Sequence, residues 1–178
     1  MARYSLHAVG TDRPGIVAKV TGVLAEAGCN LEDSRMAILS GQFAIMLVVE
    51  TPDSMTAIGL EESFSAVQAE YDLLIVLRPL VTQEETVDLG ETLSVSIHGG
   101  DRLGIVAAVT EAIASLGGNI VDLTTHKIPS VNGASYVLLL SVESGPQTGE
   151  QRMREELDIV ARRLGVTCVV HSGTSDLL

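Results

Sequence analysis

Residues 12–33 read DRPGIVAKVTGVLAEAGCNLED, and residues 101–122 read DRLGIVAAVTEAIASLGGNIVD. The second stretch follows the first by 89 positions. The two agree at Asp, Arg, Gly, Ile, Val, Ala, Val, Thr, Ala, Gly, Asn and Asp, which is 12 of 22 positions. Self-similarity of that length marks a repeated structural module, and it sets the fold before any single element is read. The matched residues are not only apolar. A turn, a helix start and an Asn after the helix recur, and a core alone would not need those polar residues kept.

Working outward from the first copy, Arg3–Val9 alternates as a strand, with Tyr4, Leu6 and Ala8 on one face and Gly10 ending it. Asp12 is placed to cap a helix and Pro14 falls in its first turn, where a missing N–H costs nothing. Ile16, Val17, Val20, Val23, Leu24 and Ala27 recur at helical spacing, and Gly28 supplies the stop. Asn30–Leu39 and Gln42–Glu50 read as strands joined at Ser40-Gly41. A second helix is predicted from Thr51-Pro52-Asp53, with Leu60, Phe64, Val67 and Tyr71 as its apolar stripe. Leu73–Leu77 is a last strand closed by Pro79.

The second copy repeats this order with strands near 92–98, 119–128, 134–143 and 166–171. Its second helix carries Met153, Leu157, Val160 and Leu164, offset by 93 rather than 89, so four residues are added, most simply in the turn Pro129–Gly133. The fold class is α+β: two ferredoxin-like βαββαβ domains in tandem, with antiparallel sheets and helices on one face. The predicted boundaries are residues 1–80 and 91–173 for the domains, 81–90 for a polar, acidic linker and 174–178 for a tail.

Composition narrows the function. Hydrophobic residues make up 46% of the chain and aromatics only 3%, with no Trp, so the core is aliphatic. The net charge of −12 argues against direct nucleic-acid binding, which needs clustered Lys and Arg along the phosphates. Cys29 and Cys168 occupy non-equivalent places, which suits packed thiols rather than a disulfide or metal scaffold. The His residues do not correspond between copies, and no pair has metal-ligand spacing, so neither a metal nor another cofactor is expected. No apolar run approaches membrane-spanning length, and MARYSLHAV lacks a signal-peptide core, so a soluble cytoplasmic protein without membrane association is expected. No nucleophile elbow, phosphate loop or dinucleotide fingerprint is readable, and no catalytic residue is assigned.

Two polar constellations recur. One is the loop after the first strand, Gly10–Gly15 and Gly99–Gly104. A helix N-terminus offers unpaired N–H groups that hold a carboxylate, Gly15 and Gly104 clear the approach, and Asp12 and Asp101 accept from an ammonium. Together these suit an α-amino acid, although for the loop taken alone an ordinary N-cap and an ordinary loop Gly are the better explanation. The other is Asn30 and Asn119, each just past a helix-ending Gly. Such an Asn either binds both ends of an amino acid or tolerates a left-handed turn. If the first and second strands lie side by side, the Asn comes near the Asp loop. Thr21 and Thr110 match as mid-helix residues that bond back to the preceding turn. Asp33 and Asp122 also match, at a strand edge.

D-R-P-G-I-V, a helix, and then G-C-N-L within a βαββαβ order resemble the ACT domain, a regulatory amino-acid-binding module. The resemblance covers nearly the whole chain. The longer string GCNLEDSRMA at residues 28–37 resembles a narrower group, the glycine cleavage system transcriptional repressor-like proteins. The resemblance implies sheets joined side by side and amino acids held between the loop after strand one and the start of strand two. It places ligand-binding residues at Asp12, Pro14, Gly15, Ile16 and Asn30, and at Asp101, Gly104, Ile105 and Asn119. It further implies a non-catalytic homodimer that senses a small amino acid, glycine first, and controls transcription through a protein partner such as an activator. A pure docking module, or a regulatory subunit of a metabolic enzyme, is the alternative. Leu103, where the first copy has Pro14, departs from the motif and marks the second site as the weaker one.

Overall fold

The computed structural model describes residues 1–80, 91–130, 133–145 and 148–173. The chain divides into two compact units, Met1–Glu84 and Glu85–Leu178. The expected linker, the tail and the turn residues Val131 and Asn132 lie outside the described residues.

In the first unit the elements are β1 (Ala2–Thr11), α1 (Ile16–Glu26), β2 (Asn30–Leu39), β3 (Gln42–Thr51), α2 (Ala57–Ser63), α3 (Ser65–Tyr71) and β4 (Leu74–Pro79). The second unit has β5 (Thr92–Gly100), α4 (Ile105–Ser115), β6 (Asn119–Ser130), β7 (Gly133–Glu143), α5 (Glu150–Leu164) and β8 (Thr167–Ser172). Each forms an antiparallel four-stranded sheet, ordered β2-β3-β1-β4 and β6-β7-β5-β8. This is the tandem α+β arrangement expected from the repeat.

Alternation along the central strands defines the helix-covered face. Tyr4, Leu6 and Ala8 of β1 and Phe43, Ile45, Leu47 and Val49 of β3 are buried against Ile16, Val20 and Leu24 of α1 and Leu60, Phe64 and Val67. The second core repeats the pattern with Leu93, Val95 and Ile97, with Leu138, Leu140 and Val142, and with Ile105, Val109, Ile113, Met153 and Leu157.

Both first helices end in the same way. Gly28 N–H donates to Ala25 O at 3.0 Å and Cys29 N–H to Leu24 O at 2.9 Å. Gly117 and Gly118 repeat this with Ala114 and Ile113 at 2.9 and 3.0 Å. With Gly28 at φ 72° and Gly117 at φ 73°, each is a Schellman stop made by a left-handed glycine. Thr21 Oγ1 donates to Val17 O at 2.9 Å and Thr110 Oγ1 to Ala107 O at 3.2 Å, so both threonines bond back within their helices as expected.

The strand registers locate the four added residues. Gly10 faces Phe43, whereas Gly99 faces Tyr136, so the offset is 89 on the first strands and 93 on the third. The addition therefore lies in the β6–β7 hairpin. Ser130 pairs with Gly133 and Pro129 with Ala134, so the strands extend and the added residues do not form one long loop.

Four readings need correction. Asp12 and Asp101 are not helix caps: Gly15 and Gly104 hold the N-cap positions, and no side chain caps either helix. Pro14 precedes the first helical residue by two positions, in the turn. The second helix of unit 1 begins at Ala57, because Thr51 still belongs to β3 and Thr56 Oγ1 takes the capping bond from Gly59 N–H at 3.1 Å. That helix is also split at Phe64, whose side chain is fully buried across the break. Finally, β1 and β2 are not neighbours. β3 lies between them.

Phe64 is the largest group filling the space under the split helix. Phe64→Ala is expected to cost about 3–5 kcal/mol, read as a lower urea midpoint at an unchanged denaturant slope.

Candidate functional site

The β1–α1 loop begins where β1 runs out. Asp12 N–H donates to Gly41 O at 2.9 Å, which ties the loop to the β2–β3 turn. That turn has Ser40 at φ 51° and Gly41 at φ 76°, as a tight two-residue hairpin requires. The chain then reverses through Gly15 at φ 94° and enters α1. A side chain at residue 15 would be strained by that φ, and its Cβ would stand 3.2 Å from the Tyr71 hydroxyl.

The consequence is an uncapped helix start. Lys19 N–H reaches Gly15 O at 2.9 Å, but the amides of Val17 and Ala18 have no backbone acceptor among the described residues. There is no acid in the first turn. The positive end of the α1 dipole is therefore offered to whatever anion sits there. Asp12, Arg13, Gly15, Ile16, Val17 and Ala18 line an open cavity of about 430 Å³, to which Met36 and Phe43 also contribute. Asp12 and Arg13 have no side-chain partner among the described residues.

The unit 2 loop has the same backbone. Gly104 stands at φ 87° and Ala108 N–H reaches Gly104 O at 3.0 Å. Its side chains differ. Lys127 Nζ donates to Asp101 Oδ2 at 2.7 Å, Arg102 donates to Leu164 O at 2.7 Å, and Leu103 is wholly exposed where unit 1 has Pro14.

The sequence-assigned residues thus fall into two groups. Asp12, Pro14, Gly15 and Ile16, and likewise Asp101, Gly104 and Ile105, meet at one end of each sheet. The side chains of Ile16 and Ile105 are buried in the cores, so only their backbone faces the loop. Asn30 and Asn119 lie at the other end. Asn30 is opposite Glu50, in the row of Arg3, while Asp12 follows the row of Thr11, Gln42 and Leu39. Nine positions of extended chain separate Asp12 from the row of Arg3 and Asn30, roughly 30 Å. Within one unit the Asn does not approach the Asp loop. Asn119 Nδ2 instead donates to Glu143 Oε2 at 3.1 Å. Val17, Ala18, Met36 and Phe43 are the cavity residues that sequence reasoning missed. Met36 was discoverable as an apolar residue on the helix-side face of β2, opposite Ile45 of β3.

Comparison with known proteins agrees with this architecture. A family model described as the ACT domain matches residues 6–78 and again 91–171. The glycine cleavage system transcriptional repressor of Escherichia coli is 32% identical over 138 residues, covering 77% of this chain and 71% of that protein. A solved structure of an unknown protein from Galdieria sulphuraria superposes with a TM-score of 0.85 at 24% identity, covering 97% of this chain and 99% of the other. Another, described provisionally as a glycine cleavage system transcriptional repressor, gives a TM-score of 0.74 at 22% identity and covers 98% of both chains. These two structures carry the fold alone.

No cluster of His, Cys, Asp and Glu among the described residues is arranged to hold a metal. No helix of the described residues is long and apolar enough to cross a membrane. Both thiols are free and partly buried. Burial raises Cys29, and burial with help from the nearby Asp158 carboxylate pushes Cys168 up to about 11. A thiol so raised is a poor nucleophile at neutral pH. Against an unstructured thiol near 9.0, Cys168 carries about 100-fold less thiolate at pH 8. Iodoacetamide at that pH is expected to label it correspondingly slowly in the folded chain and at the ordinary rate in urea. The sign also fixes a stability trend: the unfolded thiol ionises first, so folding weakens as pH rises from about 9 towards 11.

Proposed function

We propose that this chain, which belongs to the ACT domain family, is a non-catalytic regulatory protein that binds a small amino acid at the β1–α1 loop of unit 1. Glycine is the first candidate. The observation that carries the reading is the pairing of opposite capacities in one cavity. Asp12 supplies an unpartnered carboxylate for an ammonium, and the free amides of Val17 and Ala18 supply donors for a carboxylate. Hydrogen bonds involving charged groups contribute about 1.5–3 kcal/mol each, enough to fix a zwitterion in a groove with an apolar wall.

Asn30 enters this reading through a second copy of the chain. Every residue of β2 is exposed, including Leu31, Met36 and Ile38, and one of its edges has no strand beside it among the described residues. An edge of that length invites another strand. If β2 of one copy runs antiparallel beside β2 of another, the start of one strand lies opposite the end of the other. Asn30 then comes beside the Asp12 loop of the partner copy. The amino acid would sit where the copies join, so that ligand and pairing are coupled.

A chain of net charge −12 with no nucleic-acid-binding motif acts on transcription, in this reading, through a protein partner and not by touching DNA. Kinship to a glycine cleavage system repressor supports both glycine as the signal and transcription as the output. The exposed β2 edge favours one second reading, a docking module that pairs without sensing anything.

Isothermal titration against glycine and the other common amino acids tests the proposal. Glycine is expected to bind the wild type, and Asp12→Ala to weaken it about 10–100-fold while the dimer persists. Absence of heat with every amino acid, together with an intact dimer, would leave the docking module as the answer.

A further inference from the structure

The two loops share one backbone, yet only one of them is free. In unit 2 the Lys127 ammonium stands 2.7 Å from Asp101, on the carboxylate that corresponds to Asp12. Arg102 is drawn away to Leu164 O, at the C-terminal end of α5, and lies so close over Gly165 that a Cβ there would stand 2.8 Å from its guanidinium. In unit 1 the counterpart of Lys127 is Ile38, the counterpart of Gly165 is Asp72, and both charged loop residues are without partners among the described residues.

We infer that Lys127 is a tethered stand-in for the ligand's ammonium, which occupies the unit 2 site from within the chain and biases amino-acid binding towards unit 1. The inference rests on the proposed amino-acid reading of the loops. Its physical basis is chemical identity: a primary ammonium donating to a carboxylate is the same contact whether it comes from a lysine or from glycine. Lys127 Nζ takes up Oδ2 of Asp101 at 2.7 Å, so an incoming ammonium meets a carboxylate that already has a cationic partner. The pair is exposed on both sides. An exposed ion pair contributes little, so the latch handicaps the second site by up to about fivefold and does not close it. A ligand present at high concentration displaces Lys127, and the chain responds over two concentration ranges.

The test exchanges the two residues. Ile38 and Lys127 are equivalent exposed positions on their strands, so each can accept the other's side chain without disturbing a core. Glycine is titrated into labelled protein, and the amides of Gly15 and Gly104 report the two loops separately. In the wild type, Gly15 is expected to respond at about fivefold lower glycine than Gly104. Lys127→Ile should bring the Gly104 midpoint down towards that of Gly15, and Ile38→Lys should raise the Gly15 midpoint by a similar factor. A Gly104 midpoint that does not move in Lys127→Ile, while Gly15 still responds, overturns the latch and leaves the first site standing. Silence of both amides in all three proteins overturns the amino-acid reading itself, and the latch with it.

Discussion

One backbone constraint underlies the molecule: the left-handed glycine between the first strand and the first helix of each unit. At Gly15 and Gly104 the chain must leave an extended strand and enter a helix that packs back over the same sheet. A side-chain cap would satisfy the helix amides, but it would need the capping residue in an extended conformation. The positive φ takes that option away. The turn is tight enough to seat Ile16 and Ile105 directly in the cores, and the helix start is left with donors and no acceptor. Packing and binding capacity therefore come from the same residue. With no side-chain cap and no acid in the first turn, placing the first helix in this way leaves amide donors open at its start.

Much of this was legible in the sequence. The repeat fixed two units, aliphatic alternation separated helix-covered from open faces, and the change of offset from 89 to 93 located the extra residues in the hairpin. What was misread has a common cause: the errors concern how elements are arranged, which local pattern does not encode. An Asp four residues before a helical stripe looks like a cap, and the left-handed Gly15 at the N-cap position shows that it is not. Thr51-Pro52-Asp53 looks like a helix start, yet β3 holds Thr51 through its pairing with Ala2, and Thr56 caps instead. The Asn30 error is the largest. Chain order suggested that β1 and β2 lie together, but β3 enters between them, and their parallel course sends equivalent ends of the two strands the same way. The start of β2 therefore lies with the start of β1, far from its end.

The duplicated units show which parts of the design tolerate change. Their cores match position for position, with Ile16, Val20 and Leu24 answered by Ile105, Val109 and Ile113. The glycine stops and starts match as well. Divergence gathers around the loops: Pro14 against Leu103, Ile38 against Lys127, Met36 against Thr125, Asp72 against Gly165. None of these positions is needed to fill a core, so changes there leave the fold intact while altering what the loop can hold. Arg102 is a case in point. It bonds to Leu164 O with its guanidinium lying close over the bare Gly165, where unit 1 carries the side chain of Asp72.

The misplacement of Asn30 carries a consequence for regulation. A site complete within one unit would bind its ligand whether or not the chain was paired, and an effector with equal affinity for two states shifts neither. A site that draws its Asp loop from one copy and its Asn from another exists only in the paired state. Ligand at about 100 times its dissociation constant then favours pairing by about 2.7 kcal/mol, near a hundredfold change in the equilibrium. Under the proposed reading, the roughly 30 Å between Asn30 and Asp12 within a unit, which first counts against a common site, would tie a small zwitterion to the pairing of two copies. The exposed length of β2 would then be the surface so paired.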